Sequence, residues 1–346
     1  MFLRNQWYCA ALSQELGGTP LGRVFLGEPV VLYRAGGAIV ALEDRCCHRR
    51  APLSKGKVEG GNLRCGYHGF LYDRSGQCIW VPGQDKVPPS ARVRAYPIVE
   101  KHGYVWLWMG DADRADPARA PDWRWFDDPA WASTGGVMRI AADYFLLVDN
   151  LLDMSHLPFL HANTIGSAAD LNATLDWERG ADHVRGVRFA PRLTPSPRQR
   201  EEGVAFDTDR RQIMTYTPPA SIVIEVIVTE AGKAHGDPAS RYDTTVKVLD
   251  SITPETASTC HYFWGLCRNY RVDDKALTAQ SHRVVATFTE DKEMLEAEQK
   301  IIDLAPLARQ VDVASDQGAL QARRLFERLL ADEQGAGELP PVANPT

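Results

Sequence analysis

Arg45-Cys46-Cys47-His48-Arg49 and Arg64-Cys65-Gly66-Tyr67-His68-Gly69 are two short runs with one pattern between them: Cys-x-His, sixteen residues, then Cys-x-x-His. Two soft thiolates and two imidazoles can hold zinc or an iron–sulfur cluster. Paired ligands in zinc fingers ordinarily stand two to five residues apart, and Cys-x-His is tighter than that. It suits a loop tip that gives a thiolate to one iron and an imidazole to the other, the mixed ligation of a dinuclear cluster. Exchanging two anionic thiolates for neutral imidazoles lowers the negative charge at the cluster and raises its reduction potential above that of all-cysteine ferredoxins. A structural zinc site is the alternative reading. Cys47, between two ligand candidates, reads as a passenger.

Outward from these runs the first third of the chain reads as hairpins. Val30–Tyr33 and Ile39–Leu42 flank Ala35-Gly36-Gly37, and Phe70–Tyr72 and Gln77–Val81 flank Asp73-Arg74-Ser75-Gly76. Val93–Val99 and Tyr104–Met109 flank Glu100-Lys101-His102-Gly103. Short β-rich runs with glycine turns at this spacing predict a small all-β domain in which each ligand pair sits at a hairpin tip. Gly110–Asp122, rich in Asp, Ala, Arg and Pro, reads as a junction. Beyond it the pattern changes to strand-like runs in 203–270, such as Ala220–Val228, and to helical patterns in 274–303 and 313–333. Pro191–Gly203 reads as a mobile loop, and Glu333–Thr346, with its Gly and Pro, as a disordered tail.

With 346 residues the chain has room for two cores. A net charge of −6 without a basic block argues against a nucleic-acid reader. No apolar run approaches the ~20 residues of a membrane helix, and the N-terminal residues lack the pattern of a signal peptide. A cytoplasmic location is therefore expected. The cysteines are Cys9, Cys46, Cys47, Cys65, Cys78, Cys260 and Cys267. Free thiols and metal ligands are expected of them rather than disulfides.

A second constellation lies in Asp149–His161. Asn150, Asp153 and His156, spaced i, i+3, i+6, recur on adjacent turns of one helix face. Pro158 is expected to break that helix, after which His161 can swing back toward His156. Two histidines five apart are ordinarily surface or core residues, but beside Asn150, Asp153 and the cluster motif they read as metal ligands. Two histidines and a carboxylate with open positions form the facial triad of non-haem Fe(II) oxygenases. The carboxylate must come from elsewhere. Ser281–Lys300 is amphipathic, and Val284, Phe288, Asp291, Leu295 and Ile302 share one helix face, so Asp291 is a lone charge in an apolar stripe. Such a charge is costly to bury unless it is paired or binds metal. Glu290 and Glu298 are the weaker candidates for the third ligand.

Through Cys46–Leu53, Cys65–Gly69 and the run from Asn5-Gln6-Trp7-Tyr8 to the C-terminal helix, the chain resembles the Rieske non-haem iron oxygenases. Within that family it is similar to the vanillate O-demethylase and toluenesulfonate methyl-monooxygenase group, by Asp149–Asp153, Thr164-Ile165-Gly166, Tyr262–Gly265 and Arg268-Asn269. The resemblance implies an α+β fold: an N-terminal all-β Rieske domain over residues 1–115 and a catalytic domain over 116–332, an antiparallel sheet flanked by helices of helix-grip type. It implies a Rieske 2Fe–2S cluster on Cys46, His48, Cys65 and His68, and mononuclear Fe(II) on His156, His161 and Asp291. Asn150 and Asp153 join the catalytic set. The matching aspartate of the family bridges a Rieske histidine of one subunit and an iron-ligand histidine of its neighbour, which here would be His68 and His156, and this implies a homotrimer. The activity implied is O2-dependent oxidation of a small aromatic substrate, by O-demethylation or methyl hydroxylation. Hydroxylation of a non-aromatic compound, or an electron carrier with a ligand-binding domain, are the competing readings. The chain shows no G-x-G-x-x-G after a strand and no plant-type cluster motif, so electrons are expected from a separate NAD(P)H-dependent reductase of flavin or ferredoxin type.

Overall fold

Glycine turns shape the N-terminal third of the chain as the hairpin pattern predicts. The computed structural model describes residues 1–162, 164–165, 173–195, 199–200 and 202–335. Glu28–Ala35 and Ala38–Glu43 pair across Gly36-Gly37, both at positive φ, the geometry of a tight two-residue hairpin. Lys57–Glu59, Asn62–Arg64, Leu71–Tyr72 and Cys78–Trp80 form the small antiparallel sheet that carries the second ligand run. The run Val93–Val99 is not one strand. Ala95–Tyr96 pairs with Ala38–Glu43, and Ile98–Lys101 pairs with Tyr104–Trp108. Pro97 stands between them; with no N–H to give a ladder, it lets the chain leave one sheet and join the next.

The larger sheet has seven antiparallel strands. Its order is Ala132–Ile140, Thr259–Arg268, Asp243–Thr256, Ser221–Glu230, Thr208–Thr217, Val184–Leu193, Thr174–Arg179. One face is covered by helices α1 (Tyr144–Leu152), α4 (Val284–Leu304) and α5 (Gln317–Gly335); between α1 and α4 the chain also forms α2 (Leu157–Leu160) and α3 (Lys275–Ser281). Tyr216, Ile222, Tyr262 and Trp264 of the sheet meet Leu147, Phe288, Leu295 and Leu325 of the helices in one core. The opposite face packs Leu249, Phe263 and Cys267 against Trp7, Trp106, Trp108 and Trp123. The N-terminal part therefore roofs the sheet. Thr253 donates to the Cys9 carbonyl at 2.6 Å, and the Tyr104 hydroxyl donates to the Trp264 carbonyl at 2.8 Å. Gly135 permits that approach, since a Cβ there would meet the Tyr104 oxygen at 2.3 Å.

The α+β architecture is as expected; besides the split run Val93–Val99, three further expectations about element boundaries are not met here. The helical run 274–303 is interrupted at His282-Arg283, which separates α3 from α4. Pro191 to Leu193, read as loop, complete the strand Val184–Leu193; residues 196–198 and 201 of that segment, like Gly166, lie outside the described residues. Helix α5 runs into the expected disordered tail. Its Glu333 accepts the main-chain N–H groups of Arg4 and Asn5 at 2.7 Å each and the Asn5 amide at 2.6 Å, which ties it to the N-terminus. Residues 336–346 lie outside the described residues. Among the described residues no helix is long and apolar enough to cross a membrane.

Two candidate metal centres

The two ligand runs form matching loops. Cys46 N–H bonds the Ala51 carbonyl at 2.9 Å, and Cys65 N–H bonds the Phe70 carbonyl at 2.8 Å. Inside each loop a second turn closes, Arg50 N–H to Cys46 O and Gly69 N–H to Cys65 O. Arg50 and Gly69, which close these turns, both have positive φ. The loops bury Cys46 and Cys65 and leave His48 and His68 exposed, with ring centroids 4.6 Å apart. Phe70 stacks flat on His48 at 4.8 Å and Tyr67 lies against His68 at 3.7 Å, so both imidazoles are braced. Burial pushes the Cys65 thiol up, against main-chain hydrogen bonds from Tyr67 and His68. The buried Tyr72 hydroxyl lies 3.1 Å from Cys46 Sγ; burial raises its pKa well above the ordinary value, which keeps it a donor. Sulfur inside and imidazole at the rim fit the mixed donor set of a dinuclear cluster.

The second site begins with a helix that ends early. Asp143 caps α1 by accepting Phe145 N–H at 2.7 Å. The helix stops at Leu152, six residues before the proline expected to break it. Asp153 is extended; its N–H closes the last turn on Asp149 and Asn150, and its carboxylate accepts Ser155 N–H at 2.7 Å to cap the short turn Met154–His156. Pro158 then sits in the first turn of α2, where a missing N–H costs nothing. The break at Asp153 sets His156 and His161 on successive short turns with ring centroids 5.0 Å apart.

Asp291 reaches them from α4. Its Oδ1 is 3.1 Å from His161 Nε2, 3.7 Å from His156 Nε2, and accepts Asn150 Nδ2 at 3.0 Å. One ligand atom from each of His156, His161 and Asp291 lies within 4.8 Å of the others. His156 directs Nδ1 to the Asp153 carbonyl at 2.6 Å, and His161 directs Nδ1 to Glu290 Oε2 at 2.7 Å. These bonds fix the tautomer and leave both Nε2 lone pairs toward Asp291. Burial, with His161 close by, holds His156 below its ordinary pKa despite Asp291, so the ring is the neutral base a metal requires. Burial pushes Asp291 up although His161, Asn150 and His156 pull it down. Asn150 Oδ1 is buried without a partner. A metal or its bound water would satisfy that oxygen, and the donor set fits mononuclear iron.

Every residue expected at the two centres is thus brought to one or the other, with one difference. The Asp153 carboxylate holds Ser155 and, at 3.4 Å, Ser315; its contact with His156 runs through the main-chain carbonyl. Glu290, weighed as a ligand, instead supports His161 and accepts Thr164 Oγ1 at 2.9 Å. Adjacent helix residues point about 100° apart, so of two consecutive carboxylates one faces the site and the other reaches behind it. Tyr72 and Phe70 were missed; their place just after His68 was the available signal. A cleft of about 880 Å³ opens beside His156, walled by Asp149, Asp153, Glu298, Asp312 and Asp316. Among the described residues no hydrogen bond, ion pair or ring contact joins the two centres.

Residues 6–97 match the Rieske [2Fe-2S] domain, and residues 140–332 match the vanillate O-demethylase oxygenase C-terminal domain. The chain belongs to the Rieske non-haem iron oxygenases, enzymes that carry a 2Fe–2S cluster and a mononuclear iron. It is 40% identical to a putative toluene-4-sulfonate monooxygenase system iron-sulfur subunit from Comamonas testosteroni, over 97% of this chain and 99% of that one. It is 38% identical to a vanillate O-demethylase oxygenase subunit from Pseudomonas sp. (strain HR199 / DSM 7063), over 99% of both. Among solved structures, dicamba monooxygenase bound to 3,6 dichlorosalicylic acid superposes with a TM-score of 0.89 at 32% identity, covering 97% of this chain and 99% of that one. The same enzyme with non-heme iron and dicamba gives 0.85 at 31%, covering 97% and 99%.

Proposed function

We propose that this chain is the terminal oxygenase of a multicomponent monooxygenase that oxidises a methoxy or methyl group of a small aromatic substrate, with electrons from a separate NAD(P)H-dependent reductase. The observation that carries the reading is the convergence of His156, His161 and Asp291, each held by its own partner, in a chain that also brings Cys46, His48, Cys65 and His68 together. Cys46, Cys65, His48 and His68 hold the cluster, and His156, His161 and Asp291 hold the iron. The cluster supplies electrons one at a time and the iron supplies O2 chemistry. Two electrons and two protons reduce one oxygen atom to water while the other enters a C–H bond. A hydroxylated methoxy group collapses to a phenol and formaldehyde; a hydroxylated methyl group is an alcohol. Asn150 orients Asp291, and Glu290 and the Asp153 carbonyl orient the two histidines. The division into a cluster domain, 1–115, and an iron domain, 116–332, belongs to the same proposal.

Electron transfer runs between subunits in this reading. The cluster tip is basic and aromatic, with Arg45, Arg49, Arg50, Tyr67 and Trp80 exposed. The cleft beside His156 is acidic, and exposed Phe159, Met294 and Val311 line it. Charge and apolar surface both favour the tip of one subunit seated in the cleft of the next, and a head-to-tail contact of this kind closes into a ring. Asp153, on the cleft wall, is then placed to accept from His68 of the neighbour. A native mass near three times the 38.5 kDa chain is expected by light scattering; a monomer at micromolar concentration would remove the ring.

Activity is tested with purified protein, a compatible reductase and paired methoxy- and methyl-substituted aromatic substrates. Oxygen uptake coupled to formaldehyde identifies a demethylase, and uptake coupled to an alcohol a methyl hydroxylase. Uptake coupled to neither, or turnover confined to non-aromatic compounds, overturns the reading.

A further inference from the structure

The Tyr72 hydroxyl stands between two sulfurs. It lies 3.1 Å from Cys46 Sγ and 3.1 Å from Cys47 Sγ, and it accepts the main-chain N–H of Cys47 at 3.2 Å. The ring cannot turn away. Tyr72 is fully buried, its strand Leu71–Tyr72 is paired on both sides, and it packs with Val31, Leu42 and Leu63. Cys47 is equally fixed, by the loop bonds from Cys46 to Ala51 and from Arg50 to Cys46.

A phenol has one proton to give and lone pairs to receive. As a cluster ligand Cys46 is an anionic thiolate, a stronger acceptor than the neutral Cys47 thiol. The Tyr72 proton therefore goes to Cys46, and its oxygen faces two donors from Cys47, the N–H and the S–H. The result is a directed chain: Cys47 S–H to Tyr72 O, then Tyr72 O–H to Cys46 S. We propose that Cys47 is a positioning residue that raises the reduction potential of the cluster by aiming and polarising the Tyr72 hydroxyl toward Cys46. The proposal rests on Cys46 as a ligand. Hydrogen bonds to cluster sulfur are among the determinants of the potential and favour the more negative, reduced state. A donor that itself accepts a hydrogen bond donates more strongly. Any residue but proline at position 47 supplies the N–H; the S–H belongs to cysteine. Residue 47 thereby adjusts the driving force for electrons leaving the cluster without binding iron.

The opposite arrangement has the opposite sign. If the Cys47 thiol instead drew the Tyr72 proton to itself, removing it would free the hydroxyl for Cys46 and the potential would rise. The test is a spectroelectrochemical titration of the full-length holoprotein and its Tyr72→Phe, Cys47→Ala, Cys47→Ser and Tyr72→Phe/Cys47→Ala variants, with cluster content checked by EPR. The midpoint is expected to fall most in Tyr72→Phe and by a fraction of that shift in Cys47→Ala. Cys47→Ser, which keeps an O–H donor, restores part of the loss. The double variant matches Tyr72→Phe alone, because Cys47 acts only through the hydroxyl. An unchanged or raised midpoint in Cys47→Ala overturns the proposal, and so does an equal shift with and without Tyr72. Loss of the cluster from both Cys47 variants overturns it as well, by making Cys47 a requirement for assembly. A Cys46→Ala control separates the two levels: if it keeps the Rieske signal, the ligand assignment itself has failed.

Discussion

The proposed cluster loops and the proposed iron site address the same task, holding metal ligands still, with different materials. Cys46 to His68 is one short run in which main-chain bonds within each loop set the geometry and stacked rings brace exposed histidines. The iron set joins a broken helix to a distant one, and side-chain bonds set its geometry: Asn150 on Asp291, Glu290 on His161. The first design is local and tolerates solvent. The second depends on packing α1 against α4 and buries a carboxylate, which is stable only while the metal or its histidine partners are present. Each centre should therefore fail without taking the other with it.

Asp291→Ala presses hardest on that independence. Turnover with reductase should fall by more than about a hundred-fold, above what loss of an outer partner costs. Iron should drop from about three to about two per chain, the number a dinuclear cluster retains, while the brown colour persists. Loss of colour would show that the two centres fold as one. Asp153→Ala is next in size. Both metals should remain, and turnover should fall about a hundred-fold. Single-turnover mixing should place the defect in electron transfer from cluster to iron, and a normal transfer rate would eliminate Asp153 as the link. Glu290→Gln should weaken iron binding about ten- to a hundred-fold, measured by iron titration of stripped protein, with the cluster spectrum unchanged.

The same contrast explains what could be read from the chain. The convergence of Cys46, His48, Cys65 and His68 on two matching loops was legible because a candidate loop ligand set is a spacing, and spacing is visible in sequence. The approach of Asp291 to the two histidines was legible for another reason: it is a lone charge in the apolar stripe of Phe288 and Leu295. The helix break at Asp153 was not, because an aspartate that caps a new turn through Ser155 looks the same in sequence as one on a continuing helix face. Pro158, the obvious breaker, was instead used where proline is harmless. Glu290 could not be told from a ligand until the side of α4 facing His161 was known. Glu333 escaped for reasons of range, since its partners Arg4 and Asn5 are at the other end of the chain.

The smallest effect sharpens the contrast in burial. Among the described residues the buried acids are Asp250 and Asp291, both in the iron-binding half. Asp250 accepts the Tyr262 hydroxyl at 2.6 Å through Oδ1, while Oδ2 has no partner. Burial pushes its pKa up to about 7; the Tyr262 bond opposes the shift and nearby Asp291 adds to it. In the unfolded chain this carboxyl ionises at its ordinary value, so between about pH 4 and pH 7 the native state holds a proton that the unfolded state has lost. Stability must fall as pH rises through that window, by at most about 4 kcal/mol for a shift of ~3 units, and stay level above it. Asp250→Asn keeps an oxygen for Tyr262 and removes the ionisation. Its thermal midpoint should match the wild type near pH 4 and exceed it at pH 8, the gap opening while only the unfolded chain has lost the Asp250 proton and levelling once the native carboxyl ionises near pH 7. The readout is thermal unfolding followed by tryptophan fluorescence across that range. Parallel curves for variant and wild type would mean that Asp250 ionises at the same pH in the folded and the unfolded protein, and that the iron half carries its buried acid without cost.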